Sequence, residues 1–200
     1  RENIKKELVD IDGIIVAPGF GQRGLDGKIL AVEYARKNKI PFLGICLGMQ
    51  MAVIEYARNV KKIRYASSTE ISEKCKDPVI DLMTSQKEVI NKGGTMRLGA
   101  WDCEIIKNTI THKIYNKKKI SERHRHRYEF NNEYSKIIFD DSFIVTGRNP
   151  ETNLVEIVEN RDHPWFIGVQ FHPEYKSSVY NPHPIFVNFV KASLKNYLKK

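Results

Sequence analysis

Apolar residues along the chain gather in short runs, and their spacing predicts the elements. Residues 12–17 (DGIIVA) read as a short buried strand, followed by a glycine-rich turn at residues 19–24. Over residues 27–38 the apolar positions fall at 29, 30, 32 and 35 among good helix formers, which predicts a helix. A second apolar run, Phe42–Ile45, predicts a strand, and LGMQMAVIEYARNV after Cys46 predicts another helix. Strand, helix, strand, helix within about fifty residues argues for a right-handed parallel βαβ unit. Residues 61–95 are polar and irregular in pattern. Strands are predicted at 97–107 and 123–130, and a strand pair at 142–149 and 154–160 flanks a turn at Asn149–Asn153. WFIGVQF, residues 165–171, is a strongly apolar strand. Residues 184–198 close the chain as an amphipathic helix with Phe186, Phe189, Val190, Leu194 and Tyr197 on one side. No internal repeat or low-complexity linker interrupts this order, so residues 1–200 are expected to form one α/β domain.

Composition narrows the setting. Of the 200 residues, 41% are hydrophobic and 28% charged, enough apolar material for a sizeable core in a soluble domain. No window of about eighteen apolar residues exists, so no membrane span is expected. The N-terminal RENIKKELVDID lacks the apolar core of a signal peptide. Cys46, Cys75 and Cys103 are odd in number and form no CxxC, which argues against a disulfide framework or zinc ribbon and for a reducing, cytoplasmic location. The net charge of +9 raises nucleic-acid binding as an alternative. Much of the excess lies in Lys117–Lys119 and in Lys195, Lys199 and Lys200, which read as solvated surface.

Two glycine patterns carry candidate chemistry. Gly19-Phe-Gly21-Gln-Arg-Gly24 fits G-x-G-x-x-G between a strand and a helix, the context of a dinucleotide fingerprint. That reading needs an acidic residue at the end of the next strand, where Ile45, Cys46 and Leu47 stand instead. Gly44-Ile-Cys46-Leu-Gly48 is the cysteine form of a nucleophile elbow. A nucleophile on a tight strand-to-helix turn needs small neighbours, and the helix N-terminus beneath it favours a thiolate. The Leu47 N–H can face an oxyanion, and Gly19, on the loop of the neighbouring strand, can offer a second donor. Past the strand at 165–171 comes His172-Pro-Glu174. A histidine there lands on the same sheet edge as Cys46, and a glutamate two residues on can fix its tautomer and orientation. His163 and His183 also sit beside prolines but lack that carboxylate. Another cysteine hydrolase on an α/β fold remains an alternative at this point.

Taken together, G-x-C-x-G and a distant H-P-E resemble the class I glutamine amidotransferases. PFLGICLGMQMAVIEYARNV, SSTE, GGTMRLG, ERHRHRYEFNN, HPWFIGVQFHPE and NPHPIF are similar to the glutaminase domains of CTP synthases over about residues 12–192. One departure is Ala17-Pro18 ahead of Gly19-Phe20-Gly21, where that family often has P-G-G-F-G.

The resemblance implies a flavodoxin-like, open, mostly parallel sheet flanked by helices. It implies a chain that begins after the family's first glutaminase strand and belongs to a longer enzyme. The implied activity is glutamine hydrolysis through a thioester on Cys46, with His172 and Glu174 completing a triad. The ammonia would aminate UTP to CTP in a separate synthetase domain. Glu70 of SSTE would bind the substrate ammonium and Arg127, the last arginine of RHRHR, its carboxylate. Gln50 and the backbone around Gly19, Phe20 and Leu47 would contact the rest. No cofactor or metal is implied for this domain, while the full enzyme uses ATP and Mg. Implied partners are L-glutamine, the synthetase domain of the same polypeptide, GTP as activator and further copies in a homotetramer, with no membrane or nucleic acid. On a strand, alternation places Arg123, Arg125 and Arg127 on one face and His124 and His126 on the other, which fits an anion-reading surface.

Overall fold

A computed structural model describes residues 2–82 and 96–200; residues 83–95, including Gly93 and Gly94 of GGTMRLG, lie outside the described residues. Ahead of the first predicted strand is a short helix, α1 (Glu2–Glu7). The predicted alternation follows as β1 (Ile14–Val16), α2 (Leu25–Asn38), β2 (Phe42–Ile45) and α3 (Leu47–Asn59). β3 (Ala66–Ser68) and β4 (Asp77–Leu82) come next, then β5 (Arg97–Ile105), α4 (Ile110–Tyr115), β6 (Lys119–His126) and β7 (Tyr128–Phe130). The remainder is α5 (Ser135–Ile138), β8 (Phe143–Arg148), β9 (Val155–Asn160), β10 (Phe166–Val169) and α6 (Pro184–Tyr197).

The main sheet runs β1-β2-β10-β9-β8-β5-β6. β1 and β10 both pair with β2 in parallel, and the remaining neighbours pair antiparallel. The open, helix-flanked sheet is the expected one, but among the described residues it is mixed rather than mostly parallel. Connection length is the reason. Parallel neighbours need a long crossover, whereas the short links after β8 and β9 allow only a hairpin return. What matters most for the site is that β10, from late in the chain, inserts beside β2, with Gly168 opposite Gly44 and Val169 opposite Ile45.

β2 and β10 are buried along their whole length, as strands covered on both faces must be. Phe42, Phe143, Phe166 and Met49 fill the core on one side; Leu43, Ile157, Ile167, Phe171 and Ile185 fill it on the other. α2 is tied to α3 by the Arg36 guanidinium, which donates to both oxygens of the fully buried Glu55 at 2.8 and 2.6 Å. A forked, charge-assisted pair of this kind satisfies a carboxylate that would otherwise be costly to bury.

Three local expectations are corrected. Within 61–95 lie two strands, β3 and β4, which with β7 form a second sheet of order β3-β4-β7. β3, Ala-Ser-Ser, carries no strand pattern, and β4 buries only Val79 and Ile80 between Asp77 and Asp81, too short an apolar run to read as a strand. The strand read over 123–130 is two strands: His126 pairs with Arg97 in the main sheet, while Tyr128 pairs with Leu82 in the small one. Arg127 is therefore the corner between the sheets. On α6, Ile185 and Phe189 are buried, but Val190, Leu194 and Tyr197 are exposed. The core-facing line runs through Phe189 to Ser193, against which Gly13 packs so closely that a Cβ there would meet Ser193 Oγ at 2.2 Å.

Candidate active site

Cys46 alone makes the turn from β2 into α3, with φ 51° and ψ −103°. A side chain at positive φ costs on the order of 1–3 kcal/mol and persists only where the surroundings impose it. Here the Cys46 N–H donates to the Val169 carbonyl at 2.7 Å, and its own carbonyl accepts the Gln50 N–H at 3.2 Å. The flanking glycines are forced by contact. A Cβ on Gly44 would meet the Gly48 carbonyl at 2.7 Å, and one on Gly48 would meet the Val16 carbonyl oxygen at 2.0 Å. The G-x-C-x-G pattern is thus the footprint of α3 wedged between β1 and β2.

Cys46 is 3% exposed. Burial pushes its thiol up to about 12; the Leu47 N–H beside it pulls the other way, as does Gln170, while the Glu174 and Glu70 carboxylates push it further up. The helix N-terminus acts in the expected sense, but desolvation outweighs it, so the expected resting thiolate is replaced by a neutral thiol.

Beyond β10 the chain passes through the buried Gln170 and Phe171 to His172, whose N–H donates to the Arg123 carbonyl at 2.8 Å. A 3-10 turn, Pro173–Lys176, brings Glu174 back so that its Oε1 lies 2.6 Å from His172 Nδ1. The Tyr175 ring stacks flat on the imidazole, centroids 4.9 Å apart and planes 9° apart. A carboxylate can only accept, so Nδ1 carries the hydrogen of this bond. Nε2 is buried and has no hydrogen-bond partner among the described residues. Cys46 Sγ lies instead 3.6 Å from the Gln170 side-chain nitrogen.

A cavity of about 370 Å³ opens over the elbow, lined by Gly19, Phe20, Cys46, Gln50, Glu70 and Arg127. These are six of the nine residues singled out from the sequence. Leu47, His172 and Glu174 do not line it; Leu47 sits under the glycine loop, where a Cβ on Gly19 would come within 3.3 Å of its side chain. Glu70 Oε1 accepts the N–H of Gly21, itself at φ +73°, at 3.0 Å. The glycine loop therefore serves to anchor a carboxylate at one end of the cavity. Arg127 and Arg125 stand in its wall, and the Arg125 guanidinium lies 5.9 Å from the Phe20 ring centre.

The wall also includes Met96, His126 and Tyr128, which sequence reasoning did not select. Alternation along β6 is as predicted: Arg123 and Arg125 are exposed, as is Arg127 just beyond, while His124 and His126 are buried. The two histidines do not form a metal pair. His124 Nδ1 lies 2.9 Å from His126 Nε2, and His126 Nδ1 lies 3.1 Å from the Tyr128 carbonyl, an obligatory acceptor. Among the described residues no group of three or more His, Cys, Asp or Glu is arranged to hold a metal ion. Behind them the buried Arg97 places its guanidinium 2.7 Å from Glu156 and 4.0 Å from Glu129. Burial pushes Glu129 up to about 8 and Glu156 up to about 7, with Arg97 opposing, and pushes His126 down to about 3. Arg97 stands in GGTMRLG, yet only its burial marks it as structural. Cys103 is buried against Gly147, Cys75 is partly exposed, and all three cysteines are free.

A strained cysteine elbow beside a histidine–glutamate pair on the next parallel strand defines a class. The family model for class-I glutamine amidotransferases matches residues 1–192, and the chain belongs to that family. Within it, the chain is similar to CTP synthases. It is 60% identical to CTP synthase of Christiangramia forsetii over 197 residues, 98% of this chain and 36% of that protein. With CTP synthase of Cytophaga hutchinsonii the identity is 63% over 193 residues, 96% of this chain and 36% of that protein. The chain thus spans a little over a third of the curated relatives it matches. The glutaminase domain of Trypanosoma brucei CTPS, solved with bound acivicin, superposes with a TM-score of 0.90 at 40% identity, covering 97% of this chain and 75% of that one. A glutamine amidotransferase from Thermotoga maritima superposes at 0.56 with 13% identity, over 94% and 79% of the two chains, which is a likeness of fold alone. The resemblance read from the sequence is therefore found. Among the described residues no helix is long and apolar enough to cross a membrane.

Proposed function

We propose that this chain hydrolyses the side-chain amide of L-glutamine, and that within a longer polypeptide the ammonia goes to a synthetase domain that aminates UTP to CTP. The observation that carries the reading is the cavity itself. It has a cysteine on a strained elbow at its floor, an anchored carboxylate at Glu70 and a guanidinium at Arg127. Free glutamine carries an α-ammonium and an α-carboxylate, and Glu70 and Arg127 match those charges; a forked guanidinium suits a carboxylate.

The proposed chemistry starts from a neutral thiol. His172 Nε2, held by Glu174 through Nδ1, takes the Cys46 proton as the sulfur attacks the amide carbon. The N–H groups of Gly19 and Leu47 receive the oxyanion. When the tetrahedral species collapses, the C–N bond breaks and His172 returns the proton to the departing ammonia, leaving a γ-glutamyl thioester. His172 then takes a proton from water; the resulting attack breaks the C–S bond, releasing glutamate and restoring the thiol. Gln50 contributes to the substrate wall, as does the Phe20 backbone. ATP and Mg belong, in this reading, to the synthetase domain, and no residue of this chain is assigned to hold them. The same reading has the full protein working in the cytoplasm as a homotetramer activated by GTP.

The test is covalent labelling with an electrophilic glutamine analogue, mapped by mass spectrometry. One adduct on the Cys46 peptide, suppressed by excess glutamine, is expected. Labelling of Cys75 or Cys103 in preference to Cys46 overturns the assignment.

A further inference from the structure

Gln170 is fully buried and adjoins the reacting sulfur, yet the chemistry above gives it no task. A buried primary amide is expected to be hydrogen-bonded, and its partners fix which way it points. The Tyr128 carbonyl can only accept, so the Gln50 side-chain group 2.9 Å away is its NH₂. That NH₂ also lies 3.3 Å from Gln170, and since it can only donate, Gln170 turns its oxygen toward it. The Gln170 nitrogen is thereby forced to the opposite side, where it stands 3.6 Å from Cys46 Sγ. The direction of the amide follows from a backbone carbonyl two side chains away.

We infer that Gln170 is a positioning residue for the nucleophile: it aims an N–H at Cys46 Sγ and stabilises the thiolate formed in the reaction, with Gln50 and the Tyr128 carbonyl holding the amide in the required sense. The inference rests on Cys46 being the nucleophile. Sulfur accepts weakly as a thiol and strongly as a thiolate, so the bond gains strength as the proton leaves. The groups acting on the sulfur make the donor valuable. Burial and the Glu174 and Glu70 carboxylates all oppose the thiolate; the Leu47 N–H and the Gln170 amide favour it, and His172 supplies the base. The Leu47 N–H is needed by the substrate oxyanion, whereas the Gln170 N–H has no other partner among the described residues. Because Gln50 lines the cavity, the chain Tyr128–Gln50–Gln170–Cys46 also links the substrate wall to the sulfur.

The test measures alkylation of Cys46 by iodoacetamide against pH, with peptide mapping, on the unaltered chain and on Gln170→Leu and Gln170→Glu. Iodoacetamide does not need the glutamine site, so this outcome is independent of the labelling experiment above. For Gln170→Leu the rate at pH 8 is expected to fall about tenfold, a displacement of the profile by about one pH unit or 1.4 kcal/mol. Gln170→Glu, which places a negative charge near the sulfur, is expected to fall further. The rate at Cys75, an internal reference in the same molecule, should not change. A Cys46 profile in Gln170→Leu that superimposes on that of the unaltered chain overturns the inference. Should Gln170→Leu fail to fold, the near-isosteric Gln170→Glu carries the test, with slowing expected and an unchanged profile refuting it.

Discussion

Replacing Gly48 by alanine adds one methyl group where the site has no room for it. The new Cβ would stand 2.0 Å from the Val16 carbonyl oxygen, 2.9 Å from its carbonyl carbon and 3.2 Å from the Val16 Cβ. A carbon and a carbonyl oxygen approach to about 3.3 Å, so roughly 1.3 Å must be opened. Val16 cannot give cheaply, because the obstructing atom is backbone and Val16 is paired with Gly44 in the sheet. Nor can α3 retreat, because Gly48 rests on Gly44, where even a Cβ would come within 2.7 Å. Overpacking a core costs about 1–3 kcal/mol, and with backbone on both sides the upper value, about 3 kcal/mol, is expected. β1 leads directly into the loop bearing Gly19, so the shift also moves a proposed oxyanion donor. A misplacement of about 1 Å can cost on the order of a hundredfold in rate. Urea denaturation reads the first effect, and the second-order rate of labelling by the glutamine analogue reads the second. A variant that unfolds at the same urea concentration and labels at the same rate would falsify the claim that α3 is wedged against β1.

Other outcomes follow from the same geometry. Cys46→Gly removes the proposed nucleophile and relieves a side chain at φ 51°, so labelling should vanish while the unfolding free energy rises by about 1 kcal/mol; a loss of stability would count against strain at the elbow. His163 has both nitrogens engaged, Nδ1 accepting from the Trp165 N–H at 3.1 Å and Nε2 lying 3.1 Å from the Ala35 carbonyl, and burial holds it down to about 4. Its folded value is below its unfolded one, so its contribution is complete above about pH 6.5 and is lost as pH falls toward 4, with a slope of at most about 1.4 kcal/mol per unit. His163→Gln can keep both hydrogen bonds without titrating, and its stability measured from pH 7 to 4 should fall less steeply than that of the unaltered chain; identical slopes would exclude the assignment.

The sequence by itself determined the local grammar. The apolar runs at 42–45 and 165–169 mark buried strands because only strands covered on both faces are apolar at every position. Gly44 and Gly48 could be read as an elbow because close packing there leaves room for no other residue. The alternation of Arg123, Arg125 and Arg127 with His124 and His126 followed from the period of a strand. The His172–Glu174 pair of the proposed triad was likewise legible. Glu174 reaches His172 within one turn, and local geometry is what a sequence encodes most directly.

Tertiary structure decided what depends on distant pairing. Nothing local says that β10 inserts beside β2, which is what brings residue 172 to the edge occupied by residue 46. Glu70 and Arg127 face one cavity only because the chain breaks at Arg127 to pass from one sheet to another, and no residue pattern announces that break. The neutral thiol, the buried Arg97 between two glutamates, and the direction of the Gln170 amide are sums of desolvation and contacts from segments far apart in sequence. A sequence lists the groups, but the free energy of each depends on neighbours that only the folded chain supplies.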